Sequence, residues 1–188
     1  IAEPEAADAE RIRAFLSAHA VMAALPGIPA VWFHSLVGSR NWYEGEALTG
    51  TKRAIHRERL NAEKLEKELA DSATVRSRIY RGLLALLRAR NARTALDPSG
   101  PQTVIRAAGG QIFALLRGSG TAALLTLVNV SRTAANFSLP SAFSPSSLPF
   151  DPTDPEWTAK VFTEKSVCVP PQGCVWIDGT WKGAEAWF

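Results

Sequence analysis

The chain has 188 residues, 46% of them hydrophobic and 21% charged, with a formal net charge of +3; this is the balance of a globular protein of one large or two small domains, not of a disordered chain. The basic residues crowd between Arg53 and Arg93, and from Ala54 to Arg93 Tyr80 is the one Phe, Tyr or Trp among them. The rings that a nucleic-acid surface interleaves with its charge are missing, so no nucleic-acid partner is expected.

No run of eighteen apolar residues offers a membrane span. Cys168 and Cys174 lack the neighbouring Cys or His that would make a zinc site, and two free thiols are expected. No metal and no cofactor is expected. The opening IAEPEAADAERIR begins without methionine and is acidic where a signal peptide is basic, which suggests a fragment or processed product in the cytoplasm.

From Ala6 to Ala24, Ile12, Phe15, Leu16, Met22 and Ala23 recur at helical spacing, which predicts an amphipathic helix with His19 on its core side. Pro26 and Gly27 stop it, since proline cannot continue the ladder and glycine accepts a left-handed cap. Pro29 then suits the first residue of a strand, and residues 30–34 are expected to be extended and buried on both faces. From His34 to Arg59 the composition turns polar and predicts a loop too long for a mere connection. An apolar strand that empties into a long polar loop is how a β/α barrel delivers a strand to its active-site rim.

Asn61 to Ala70 reads as a short charged helix with Leu65 and Leu69 on one side. Asp71 or Ser72 would cap a third helix over residues 73–93, with Val75, Ile79, Leu83, Leu86 and Leu87 as its buried stripe. Arg76, Arg78, Arg81, Arg88 and Arg90 are expected to snorkel outward from it.

From Pro101 the period moves toward two. Strands are predicted over 103–107, 111–117, 122–130, 134–139, 159–163, 167–169 and 174–178, with glycine turns at 108–110 and 117–120 and a proline-rich loop over 140–156. Several short antiparallel strands predict a β-sandwich. The expected domains are residues 1–98 and 99–188.

Two groups of residues could carry a site. His34 falls at the C-terminal end of the predicted strand, where barrel chemistry sits, though a histidine there also serves as a structural hydrogen-bonder. Arg40, Asn41, Trp42 and Tyr43 join a flat aromatic platform to hydrogen-bonding groups, the equipment for packing on a sugar ring and holding its hydroxyls. Trp42 could equally plug the barrel rim. Trp157, Trp176, Trp181 and Trp187 lie in the β region, where packing explains them.

The segments PGIPAVWFHSLVGSRNW, TGTKRAIHRERL and ADSATVRSRIYRGLLALLRAR resemble the C-terminal part of the sucrose-phosphorylase-like branch of the alpha-amylase superfamily. The resemblance covers most of residues 8–95; beyond residue 100 it rests on the order of elements and the closing VPPQGCVWI. It implies an α/β plus all-β chain: the terminal part of a (β/α)8 barrel followed by a C-terminal antiparallel β-sandwich. It also implies a role for Arg57, because Ile55-His56-Arg57 occupies the place of an Asn-Arg or His-Arg pair whose arginine reaches the glucosyl unit. A guanidinium suits that task, as its planar fork donates to two oxygens. His56 stands where asparagine is common in the closest members, so the branch's substrate stays open.

Retaining glycosyl transfer needs two carboxyl groups flanking the glycosidic bond. The motifs that carry them in the family do not occur in this chain, so no catalytic residue is assigned and the segment alone is expected to be inert. The partners implied for an intact enzyme are an α-glucoside and inorganic phosphate, with no membrane. The isolated chain should lean on the remainder of the barrel or self-associate. A different class stays open: a stand-alone, non-catalytic module that binds carbohydrate or protein, or a piece of an α-glucoside hydrolase.

Overall fold

A computed structural model of the chain describes residues 6–158 and 162–183. The described residues pack as two compact units, one running up to Pro29 and again from Gly82 onward, the other spanning Ala30–Arg81. This division does not follow the expected cut at residue 98. The helix before Pro29 and the end of the long helix pack with the β region, because their carbonyls and apolar faces find partners there.

In chain order the helical elements are α1 (Asp8–Ala24), α2 (Phe33–Leu36), α3 (Tyr43–Thr49), α4 (Ala62–Ala70) and α5 (Val75–Asn91), with 3-10 turns at Lys52–His56 and Thr94–Leu96. Helix α1 buries Ile12, Leu16, Ala20 and Ala23 as its period requires. His19 is half-buried and not core; its Nδ1 lies 2.9 Å from Phe15 O. The Pro-Gly stop is present, with Gly27 at a φ of 94° and its N–H donating to Pro98 O at 2.9 Å.

Residues 30–34 do not form a strand. Residues 30–32 carry no ladder, and α2 begins at Phe33. The reason is that a strand needs a neighbour for its N–H and C=O groups. Among the described residues none pairs with this segment, and the backbone closes on itself instead, Leu36 N–H donating to Trp32 O at 2.9 Å and Val37 N–H to Phe33 O at 3.1 Å. The long polar loop is also shorter than expected, since it contains α3 and a 3-10 turn. Glu44 and Glu46 in the first turn of α3 and Gly50 at a φ of 64° after its last are the start and stop signals for that helix.

Helices α4 and α5 lie where predicted. Asn61 caps α4, its Oδ1 accepting from Lys64 N–H at 2.9 Å. The cap of α5 is Thr74, whose Oγ1 accepts from Ser77 N–H at 3.1 Å, and not Asp71 or Ser72. Asp71 instead ends α4 and accepts from Ala73 N–H. Ile79, Leu83 and Leu86 are buried along α5, whereas Val75 and Leu87 are half-buried.

The β region holds β1 (Gln102–Val104), β2 (Ile112–Asn129), β3 (Ala135–Ser138), β4 (Phe143–Pro145), β5 (Phe150–Asp151), β6 (Asp154–Thr158), β7 (Phe162–Thr163), β8 (Ser166–Val169) and β9 (Cys174–Trp181). All described pairings are antiparallel. One sheet runs β1-β2-β9-β5-β6 with β4 also on β9, and a second runs β3-β8-β7. The long β2 doubles back at its glycines: Gly118 and Gly120 have φ of 75° and 54°, and Thr126 Oγ1 donates to Leu115 O at 2.9 Å, a contact that eleven residues of straight strand would forbid. The first limb of β2 pairs with β1 and the second with β9.

Ile112, Ala114 and Leu116 join Leu125, Leu127, Phe137, Val167 and Ile177 in one apolar cluster to which both sheets contribute. Leu124, Thr126 and Val128, one register off, are also buried, so this strand reads as a continuous apolar run. Residues 140–156 are not simply a loop. Three short strands, β4 to β6, pass through them, with Pro145 at the end of β4, where its missing N–H costs no ladder bond. The strand expected over 159–163 is seen only as Phe162–Thr163; residues 159–161, like Trp187 and the acidic opening residues up to Glu5, lie outside the described residues.

The described residues include neither a closed barrel nor a helix long and apolar enough to cross a membrane. Cys168 and Cys174 are free thiols.

Candidate functional site

Within the unit Ala30–Arg81, an open recess of about 360 Å³ is lined by Gly38, Arg40, Asn41, Trp42, Tyr43, Glu44, Glu58, Val75 and Arg76. The four consecutive residues predicted as a sugar-facing set thus share one wall. Their placement follows from local backbone. Trp42 precedes α3, its N–H donates to Ile55 O at 2.8 Å, and its indole lies flat over Gly45, where any Cβ would collide with the ring. Glycine there is the sequence signal for the close approach. Asn41 Nδ2 donates to Tyr43 Oη at 3.2 Å, and the Tyr43 ring is exposed.

The other predicted residues are not on that wall. His34 stands one hydrogen bond behind it, its Nδ1 3.1 Å from Ser39 Oγ, with Trp32 and Phe33 ring centroids at 6.1 and 5.6 Å from its own. His56 ends the 3-10 turn and Arg57 follows it with its N–H on Ala54 O at 2.9 Å; both side chains are exposed and neither lines the recess.

Two recess residues escape a sequence reading, Arg76 and Glu58. Arg76 is expected to snorkel outward, yet its side chain is 19% exposed and is engaged on every side. Its Nη1 donates to Val37 O at 3.1 Å and Ser39 Oγ at 2.9 Å, Nε lies 2.7 Å from Glu68 Oε2, and Nη2 lies 3.7 Å from Glu58 Oε2. No sequence signal joins them, since Glu58 and Glu68 meet the one arginine only once the chain folds. Chemically the recess offers a flat aromatic face, an amide, a phenol, guanidinium and carboxylate groups: donors and acceptors on an apolar floor, suited to a polyol ring.

Arg90 is likewise not outward. It is buried, with Nη1 donating to Ala23 O and Nη2 to Gly27 O at 2.7 Å, and burial pushes its guanidinium below its ordinary value. Arg117, wholly buried, donates to Ala24 O at 2.7 Å, Asp97 O at 2.6 Å and Pro101 O at 3.3 Å; burial, then the nearby Arg90 charge, lowers its value, and Asp97 opposes them. Among the described residues no cluster of His, Cys, Asp and Glu could hold a metal ion.

No protein-family profile matches the chain. In sequence it is 42% identical over 134 residues to the glucosylglycerate phosphorylase of Spirochaeta thermophila, covering 70% of this chain and 23% of that protein. It is 36% identical over 100 residues to the Escherichia coli glucosylglycerate phosphorylase, covering 53% and 18%. The chain thus spans about a quarter or less of the curated relatives it matches. In fold it is similar to isomaltulose synthase from Klebsiella sp. LX3, with a TM-score of 0.63, 13% identity, and 89% of this chain covered against 38% of that one. It is also similar to an alpha-amylase from H. orenii, with a TM-score of 0.61, 16% identity, and coverage of 90% and 36%. The chain is thus a homologue of glucosylglycerate phosphorylases over part of their length, and it is similar in fold to an isomaltulose synthase and an alpha-amylase.

Proposed function

We propose that this chain is the C-terminal part of a retaining α-glucosyl-transferring enzyme that splits an α-glucoside with inorganic phosphate to give glucose 1-phosphate, and that it contributes substrate-contacting residues but not the catalytic carboxylates. The observation that carries the reading is the 42% identity to a glucosylglycerate phosphorylase. The recess walled by Arg40, Asn41, Trp42 and Tyr43 supports it, since those groups fit the face and hydroxyls of a sugar. Glucosylglycerate is the first substrate to consider, and Arg57 with His56 the exposed pair that reaches the glucosyl unit once the rest of the protein is in place.

In this reading residues 1–98 close a barrel, with residues 30–34 drawn into strand pairing by neighbours elsewhere in the protein, and residues 99–188 form the appended β domain. The two carboxyl groups that retaining transfer requires stand on other barrel strands. One attacks the anomeric carbon as the other protonates the leaving oxygen; phosphate then displaces the enzyme carboxylate.

The test is phosphate-dependent release of glucose 1-phosphate from glucosylglycerate, sucrose and glucosylglycerol by a protein of the relatives' full length that contains this chain. The expected result is release that needs phosphate and is fastest with glucosylglycerate. Free glucose produced at the same rate without phosphate would replace the phosphorylase by a hydrolase. Tight glucoside binding by the isolated chain would favour a binding module.

A further inference from the structure

Residues 37–39, which lead directly into the recess wall, are held against the first turn of α5 by contacts that a surface loop does not need. Gly38 is buried at a φ of 61°, and a Cβ there would come within 3.1 Å of the Ile79 side chain and 3.4 Å of the Arg76 backbone. On either side of it, the one guanidinium of Arg76 takes Val37 O and Ser39 Oγ. Glu68 holds the Nε edge of that guanidinium from α4, and Glu58 approaches its other terminal nitrogen from the segment after the 3-10 turn. The next four residues are Arg40 to Tyr43.

From this geometry we propose that Arg76 is a positioning residue: it fixes residues 37–39 and so presents Arg40, Asn41, Trp42 and Tyr43 to the glucoside, an inference that rests on the reading of the recess given under Proposed function. A planar fork is required because two acceptors and two carboxylates must be met at once, which a lysine ammonium on a flexible stem cannot do. Side chains that contact a substrate hold their geometry only where their own neighbours lock them. Arg76 has its donors committed to this chain, and it therefore acts through the segment that it holds.

The experiment measures kcat and KM for phosphorolysis in the full-length protein for Arg76→Ala, Arg76→Lys, Ser39→Ala, His34→Ala and Trp42→Ala, and for Arg76→Ala combined with Trp42→Ala, alongside thermal midpoints. Arg76→Ala and Arg76→Lys are each expected to raise KM for the glucoside about tenfold with kcat changed less than about twofold, the pattern of lost uniform binding. Ser39→Ala, which removes the Arg76 Nη1 contact and that with His34 Nδ1 but spares the glutamate pairs, should raise KM about threefold with its midpoint intact. His34→Ala, which leaves the Arg76 contact in place, should not reproduce that rise. In the Trp42→Ala background the Arg76→Ala effect should shrink to less than about twofold, because the wall it positions is already broken.

An unchanged KM in Arg76→Lys and Ser39→Ala, or the same fold-change in both backgrounds, overturns the positioning role. If Trp42→Ala alone leaves KM unchanged, the recess is not where the glucoside binds and both readings fall; if Trp42→Ala raises KM while Arg76→Lys does not, the recess stands and the positioning role alone is overturned.

Discussion

Arg57 and Asp151 pose opposite problems at the scale of a single residue. Arg57 is exposed at the end of the 3-10 turn Lys52–His56. On the reading given under Proposed function, Arg57→Ala in the full-length protein should lose a charge-assisted hydrogen bond and cost about 1.5–3 kcal/mol in kcat/KM, and Arg57→Lys should not restore it. Unaltered kinetics in Arg57→Ala would remove the role. Asp151 is buried, and burial pushes its carboxyl from the usual carboxylate range up to about 6, against hydrogen bonds from the Thr153 N–H and Oγ1 that pull it down. Because the folded value is raised, the native state binds the proton more tightly than the unfolded chain. Its penalty is absent below about pH 4, grows as pH climbs, and is complete above pH 6, where it amounts to about 2–3 kcal/mol. Asp151→Asn keeps an oxygen for Thr153 and carries no charge. It should therefore be more stable than the parent at pH 7.5 and equal to it near pH 4, as denaturant midpoints across that range will show.

Among the elements, the end of α1 shows how much a helix owes to residues far away in sequence. Its last turn contains no basic residue, yet two of its carbonyls, Ala23 O and Ala24 O, are met by Arg90 and Arg117. Arg90→Ala should strand Ala23 O and Gly27 O and lower stability by about 2–4 kcal/mol, whereas Arg88→Ala, on the exposed face of α5, should stay within about 0.5 kcal/mol of the parent. Urea denaturation of the two variants checks both. The same helices mark what a sequence can reveal. The spacing of Ile12, Leu16 and Ala20, or of Ile79, Leu83 and Leu86, dictates a buried stripe whatever lies beneath it, and α1, α4 and α5 are legible for that reason. Residues 30–34 are not, because extended backbone depends on a partner that their own composition does not specify. Arg76 and Arg90 are misread for a related reason: a helical wheel shows which side an arginine leaves from, not whether a carbonyl or a glutamate waits there. In the candidate site, Arg40 to Tyr43 are legible as a contiguous set of sugar-suited side chains, whereas Arg76 and Glu58 come from distant positions and can be joined to them only by the fold.

For the molecule as a whole, each of the two units leaves large apolar side chains exposed, Ile28 in one and Trp32, Phe33 and Leu48 in the other. Sedimentation velocity of the isolated chain should show concentration-dependent association; a monomer at all concentrations would count against these side chains belonging to an interface with other parts of a longer protein. The deepest coupling is that of Arg117, which sits in β2 but spends its donors on the end of α1 and on the turn around Asp97 and Pro101. Cutting the chain at residue 98 and discarding the first piece would remove two of those acceptors, Ala24 O and Asp97 O, and with them the helix that packs on β2, uncovering the apolar side chains it buries there. The β region is therefore not a detachable cassette. Anyone grafting it onto another protein must carry along the first helix, and a protease that nicks the chain between Asp97 and Pro101 would yield two pieces that stay together.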